Sequence, residues 1–331
     1  MKKIKWIDCA KFIAIIAVLV DHTEGILYHN NSIAIGSYFS VSLFIIISGM
    51  LMYISNEKHQ LKWIDTFARS SKKIVMAYLI ANLVYLLWID KFLDIKKYCG
   101  YVMHFNLSGP FYYVFLYLQL MLVSRFLFDL LNKVVKKYGF IGEGILGGFV
   151  LLFGAWATNY TNILDIYGGG GKLLGGTYLF LFYIGMVFSK HHFFENRSLK
   201  RVILFTLSGI LLWFVWWNFE CRNQFGLDSK LPFGNGLNPP SISSSVMAII
   251  VLCSCFGIFS LLLYIPYLKL IVNFVAWLGK HTLYIFLYHR FFLDYILVLF
   301  DLQTNCKLRS NGMPVPLLRN CYSIFNGTKY R

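Results

Sequence analysis

Apolar residues in this chain occur in long runs separated by short polar segments. A helix that crosses a bilayer needs about 20 mostly apolar residues. Runs close to that length lie at roughly 12–29, 37–55, 74–90, 111–131, 140–158, 173–189, 202–219, 242–265 and 279–300. The pattern predicts an all-α protein, a polytopic transmembrane helix bundle of about 9–10 spans.

The composition also favours a membrane protein over a soluble domain. Of the 331 residues, 58% are hydrophobic and only 14% are charged, whereas about a quarter of the residues of a soluble domain are charged. A net charge of +16 would suggest nucleic-acid binding in a soluble protein, but here the basic residues stand between the apolar runs. The seven cysteines show neither zinc-site spacing nor a disulfide framework. We therefore predict no nucleic-acid partner and no metal.

The basic residues are unevenly distributed between alternate polar segments. Segments 1–11, 56–73, 132–139, 190–201 and 266–280 hold 18 Lys and Arg, whereas 90–110, 159–172 and 220–241 hold 6. Because cytosolic loops carry the excess of Lys and Arg, we expect a multi-pass protein of the cell membrane (plasma or inner membrane) with a cytosolic N-terminus. Residues 1–300 would form the transmembrane domain, and 301–331 a polar tail without an independent domain.

The first apolar helix carries ionisable residues that are costly inside a membrane. Lys11 and His22 are separated by ten residues, which corresponds to about 1100° of helical rotation and a rise of about 16 Å, so they share one face. Asp8 can pair with Lys11 at spacing i, i+3, and Asp21 and Glu24 flank His22. Ionisable residues within a span indicate a functional site.

A histidine in this position suits acyl transfer. A neutral imidazole can take the proton of a hydroxyl group while that oxygen attacks a thioester carbonyl. Lys11, near the helix entrance, could meet the phosphates of a CoA-type donor. The spacing alone leaves a second interpretation open, in which His22 only hydrogen-bonds a neighbouring helix and the Lys11 side chain extends to the interface.

Four stretches of the chain together resemble the acyltransferase 3 family of integral-membrane enzymes. The first helix has a basic residue, ten residues and then a histidine, in the context WIDCAKF to VLVDH. The others are the second-helix sequence VSLFIIISGML, the basic sequence RSSKK before the third helix, and WLGKHTLYIFLYH near the end. The resemblance spans about 1–290, and its pieces occur in the family's order.

The resemblance implies an enzyme that transfers an acyl group, often acetyl, to a sugar of a surface polysaccharide or its lipid-linked precursor. His22 would be the general base, with Lys11 and Asp8 in the same catalytic set. Glu24 and His289 would be accessory residues, although His289 could instead simply join helices. Other enzymes of glycan biosynthesis are possible partners.

The resemblance also implies a donor such as acetyl-CoA, which enters from the cytosol as a substrate, so no cofactor is expected to be bound permanently. Arg69, Lys72 and Lys73 would bind its phosphates at the membrane face. Lys72 stands where the family has arginine, and it keeps the charge but lacks the planar fork that binds phosphate in two places. The alternative is that all three residues are ordinary membrane anchors.

Two other functions fit the sequence. A transporter or flippase could use His22 and the nearby acidic residues as a proton relay, but many transporters show paired, broken spans in internal repeats, and no such pair is evident in this sequence. A non-catalytic membrane partner of a glycan synthase is the third possibility. Formation of an acylated product distinguishes the enzyme from both.

Overall fold

The computed structural model describes residues 4–24, 30–60, 62–90, 92–158, 173–195, 197–223 and 242–299. Regular structure in these ranges is helical, without strands, so the predicted all-α class is confirmed. The helices are α1 (Lys5–Thr23), α2 (Asn31–Ile35), α3 (Ser40–His59), α4 (Trp63–Asp90), α5 (Ile95–His104), α6 (Tyr112–Thr158), α7 (Tyr178–Lys190), α8 (Leu199–Asn223), α9 (Ile242–Leu262), α10 (Lys269–Lys280) and α11 (Thr282–Leu299).

Five helical segments in the described ranges are long and apolar enough to cross a membrane, and the bent pair α10–α11 could add a sixth. This number is below the nine apolar runs for three physical reasons. Helix α6 joins two runs, α7 has only 13 residues, and α1 carries four charged residues. The multi-pass helical architecture predicted from the sequence is nevertheless confirmed.

Helix α6 differs from the expected pair of helices joined by a basic linker. The basic segment 132–138 is itself helical, and the chain turns only at Gly139, whose φ is 59° and ψ is −145°. This backbone conformation is essentially restricted to glycine. A single residue therefore joins the two arms of α6.

Helices α3 and α7 pack backbone against backbone. Gly49 lies against the Phe182 carbonyl group and Gly185 against that of Ile46, so a Cβ at either glycine would overlap the neighbouring helix. The Ser189 hydroxyl donates to the Met50 carbonyl oxygen at 3.1 Å. Small residues allow transmembrane helices to approach this closely.

One end of the bundle is rich in lysine. There α1, α4 and α8 begin and α3 and α7 end, near Lys5, Lys58, Lys62, Lys190 and Lys200. We call this the basic end. It comprises the segments that the sequence assigns to the cytosol, and that assignment remains a prediction.

Helices α10 and α11 meet at a 71° bend, and we call residues 279–284 the elbow. Helix α10 packs on the start of α1, where Lys5 Nζ donates to Asn273 Oδ1 at 2.8 Å. The Thr282 hydroxyl donates to the Gly279 carbonyl oxygen at 3.1 Å across the bend. The chain therefore breaks between α10 and α11 instead of continuing as one straight helix.

Candidate active site

His22 lies in the last turn of α1 and contacts a second histidine. Its ring and that of His289 on α11 have centroids 5.0 Å apart and planes inclined by 43°. The His22 side chain is half-buried, whereas His289 is only 3% exposed. His22 therefore faces protein, as a catalytic role requires.

The tautomer of neutral His289 follows from its hydrogen bond. Nδ1 lies 2.6 Å from the Phe286 carbonyl oxygen. A carbonyl oxygen can only accept, so Nδ1 carries the proton and Nε2 has a free lone pair. Nε2 is buried and has no hydrogen-bond partner among the described residues. The histidine pair thus offers an unused buried acceptor.

Aromatic rings from three helices pack next to His289. The ring centroid of Phe286 lies 5.8 Å from that of His289 and 5.1 Å from that of Tyr113. Tyr113 of α6 in turn contacts Phe44 of α3 at 6.2 Å. The second-helix stretch and the C-terminal stretch identified in the sequence therefore contribute to one aromatic cluster.

Asp8 and Lys11 form the ion pair that the sequence predicts. Lys11 Nζ lies 3.1 Å from Asp8 Oδ1, and the side chains are 22% and 15% exposed. The helical rise of about 16 Å between Lys11 and His22 prevents direct contact. The structure therefore places the members of the predicted catalytic set at opposite ends of α1.

The elbow touches both α1 and α4. A Cβ on Gly279 would overlap the backbone carbonyl oxygen of Asp8, so α10 and α1 are in very close contact there. Lys73 Nζ lies over the ring of Tyr284, 5.8 Å from its centroid. Asp8 and Lys73, which the sequence assigns to different parts of the site, thus pack against the same six-residue segment.

The other predicted basic residues are exposed near this contact. Arg69 and Lys72 lie on α4 within a little more than one turn of Lys73, and all three side chains are accessible. They are available to bind an anionic group at the basic end. No group of three or more His, Cys, Asp or Glu that could hold a metal ion occurs in the described part of the chain.

Glu24 and Arg290 stand beside the two histidines in sequence. Glu24 is the half-buried C-cap of α1, and its backbone N–H approaches the Asp21 carbonyl oxygen at 3.4 Å. Glu24 therefore lies at the end of α1, two residues beyond His22. The i, i+4 spacing would allow Arg290 to pair with Asp294, but the Asp294 side chain lies outside the part of the chain that the structure describes.

Sequence reasoning missed one contributor to this site. The Tyr85 hydroxyl of α4 donates to the Leu287 carbonyl oxygen at 3.2 Å and accepts from the Phe291 N–H at 2.8 Å. An uninterrupted helix would join these two backbone groups directly. Tyr85 thus bridges the turn of α11 that carries His289, and no local pattern around this tyrosine indicates it.

Comparison with known proteins agrees with these features. The family model for an acyltransferase domain matches residues 4–318, nearly the whole chain. No curated protein and no solved structure gives a match. The family match, together with the apolar helix bundle, shows that this multi-pass membrane protein belongs to the acyltransferase 3 family and is an acyltransferase.

Proposed function

We propose that the protein is a membrane-embedded O-acyltransferase. It transfers an acetyl group from acetyl-CoA to a sugar hydroxyl of a surface polysaccharide or its lipid-linked precursor. The observation that carries the proposal is the contact between the rings of His22 and His289, which turns the only histidine of α1 toward protein rather than lipid.

In the proposed reaction His22 is the general base. It takes the proton of the acceptor hydroxyl while the oxygen attacks the thioester carbonyl carbon. The new C–O bond forms, the C–S bond breaks, and the departing CoA thiolate recovers the proton from His22. No covalent enzyme intermediate is needed, so both substrates must be bound together.

The basic end would bind the donor. Arg69, Lys72 and Lys73 are exposed there, and cationic side chains form strong hydrogen bonds with phosphate. Lys11, oriented by Asp8, would add a further positive charge. The rise of about 16 Å from Lys11 to His22 is comparable with an extended pantetheine arm, so the thioester can reach the imidazole.

The acceptor would approach the other end of α1. Glu24 caps the helix there, and its carboxylate could accept hydrogen bonds from sugar hydroxyls. With the N-terminus in the cytosol, as the distribution of Lys and Arg predicts, the donor arrives from the cytosol of a cell whose plasma or inner membrane holds the protein.

The direct test is an assay of purified protein in lipid nanodiscs with radiolabelled acetyl-CoA and a sugar acceptor. We expect acetylated sugar from the wild type. His22→Asn should reduce the rate at least about a hundredfold, in line with the contribution of a general base. The matched control is His104→Asn, since His104 is exposed on α5.

Two results would contradict the proposal. Full activity of His22→Asn would exclude His22 as the base. Absence of any acetylated product from a correctly folded wild type would instead favour a transporter or a non-catalytic partner. Mass spectrometry of surface glycan from cells with and without the protein identifies the acceptor and the acyl group.

A further inference from the structure

We propose that His289 is a positioning residue for the acyl-transfer reaction. Its Nε2 atom accepts a hydrogen bond from the imidazolium that forms at His22. The inference rests on the proposed function, and it adds a second histidine with a role different from that of the base.

The first argument is the fixed tautomer of the buried ring. Because Nδ1 donates to the Phe286 carbonyl oxygen at 2.6 Å, neutral His289 presents a lone pair at Nε2. A buried acceptor without a partner has lost its hydrogen bonds to water and is energetically unfavourable. Nε2 has no hydrogen-bond partner in the described part of the chain. It can therefore accept a hydrogen bond from the N–H group that His22 gains when it is protonated during the reaction.

The second argument is the contact between the two rings. Centroids 5.0 Å apart bring the two imidazole rings close together, and in the proposed step the His22 ring turns so that one of its N–H groups meets Nε2. Protonated imidazole has two N–H donors. One nitrogen of His22 can therefore hold the proton taken from the sugar hydroxyl, while the N–H group of the other nitrogen donates to His289.

The third argument is the way α11 is held. The Tyr85 hydroxyl bridges the Leu287 carbonyl oxygen and the Phe291 N–H, the two backbone groups on either side of His289. The ring of Phe286 packs against that of Tyr113. These contacts hold the turn and the neighbouring Phe286 ring in place, so His289 keeps its position while the His22 ring turns toward it.

The proton balance of the step is complete without a further group. The hydroxyl proton moves to His22, and His289 stays neutral and accepts only a hydrogen bond. The same proton then returns from His22 to the CoA thiolate. His289 therefore stabilises the positively charged imidazolium form of His22, and it forms no bond to either substrate.

Two substitutions separate this role from packing. His289→Phe keeps a ring and removes the acceptor, and it should lower kcat about 10- to 100-fold, as expected for loss of a hydrogen bond to a charged group. His289→Gln keeps an acceptor and should restore part of kcat. KM for acceptor and donor should stay nearly constant, and His104→Phe should have no effect.

Nuclear magnetic resonance of the full chain in nanodiscs, labelled with ¹⁵N-histidine, tests the inference without turnover. We expect neutral His289 to carry its proton on Nδ1, and we expect a coupling across an N–H···N hydrogen bond to His22 once His22 is protonated at acidic pH. The His22→Asn and His289→Gln spectra provide the assignments. An inactive wild type would overturn the proposed function while leaving this measurement valid.

Three outcomes would overturn the inference. One is a His289 ring protonated at Nε2 without coupling to His22. Another is a His289→Phe protein with unchanged kcat. The third is a His289→Phe protein in which only the acceptor KM rises, because this would mean that His289 binds the sugar hydroxyl rather than the base.

Discussion

Gly279 packs against the backbone carbonyl group of Asp8, and no Cβ fits between them. This contact joins the elbow to the helix that carries His22, close to the ion pair of Asp8 and Lys11. The glycine of the C-terminal sequence stretch is therefore explained by helix packing rather than by chemistry.

Gly279→Ala should separate α10 from α1. The added methyl group would overlap backbone, which cannot move as a flexible side chain can, so we expect a loss of about 1–3 kcal/mol in stability and a large loss of transfer activity. Thermal unfolding in detergent and the nanodisc assay measure the two effects. Gly148→Ala is the matched control, since a Cβ there meets open space.

Lys73→Gln should weaken donor binding without changing the chemical step. Lys73 is exposed and lies over Tyr284, so we expect KM for acetyl-CoA to rise about two- to tenfold, as exposed charge contacts are modest, and kcat to stay constant. Steady-state kinetics at low and high salt measure this change. An effect of equal size from Lys137→Gln, on α6, would show a nonspecific charge effect.

Lys72→Arg provides the opposite test. An arginine can bind phosphate through two parallel hydrogen bonds, whereas lysine acts as a point charge. We expect the KM for acetyl-CoA to fall or remain equal in this variant. A rise in KM would mean that residue 72 does not meet the donor phosphates.

Lys11→Met should remove a charge that is only 22% exposed. Both side chains of the ion pair with Asp8 are mostly buried, so the variant leaves the Asp8 carboxylate without its partner, which lowers stability. The expected effect is therefore a higher KM for acetyl-CoA together with a lower unfolding temperature. Asp8→Asn should have a smaller effect on KM, since it leaves the Lys11 charge in place. A destabilised Lys11→Met protein with an unchanged KM for acetyl-CoA would indicate a structural role only.

Tyr85→Phe should loosen the turn that carries His289. Losing the hydroxyl bridge costs about 0.5–1.5 kcal/mol for each hydrogen bond, and kcat should fall as the position of His289 becomes less defined. Tyr98→Phe is the control, because it removes one hydrogen bond, to the Leu79 carbonyl oxygen, at the short helix α5. Equal kcat values for the two variants would mean that the Tyr85 hydroxyl does not help to position His289.

The sequence predicts the helices well because their apolar runs are long. The apolar run begins only at residue 12, but the sequence also places Asp8 and Lys11 on the first helix, and the structure shows that this helix begins at Lys5. The ion pair of Asp8 and Lys11 allows these polar residues to extend the helix. The sequence also predicts the basic segment before Gly139 as a linker, but the segment is helical in the structure, and its three lysines are good helix formers.

The site is only partly predictable from the sequence. His22, Lys11 and Asp8 stand out locally because charge is rare in a membrane helix, and their pairing follows from helical spacing. The contacts of His22 with His289 and of Gly279 with Asp8 join residues at opposite ends of the chain. Only tertiary packing creates them, so no periodicity could reveal them.

The separation of Lys11 and His22 along one rigid helix has a consequence for substrate choice. In the proposed reaction the fixed rise of about 16 Å between the Lys11 ammonium and the His22 imidazole selects donors by length. A truncated thioester such as acetyl-N-acetylcysteamine is too short to contact both groups at once. Such a donor could react at His22 without being held by the cationic side chains, so the protein would prefer full-length CoA thioesters.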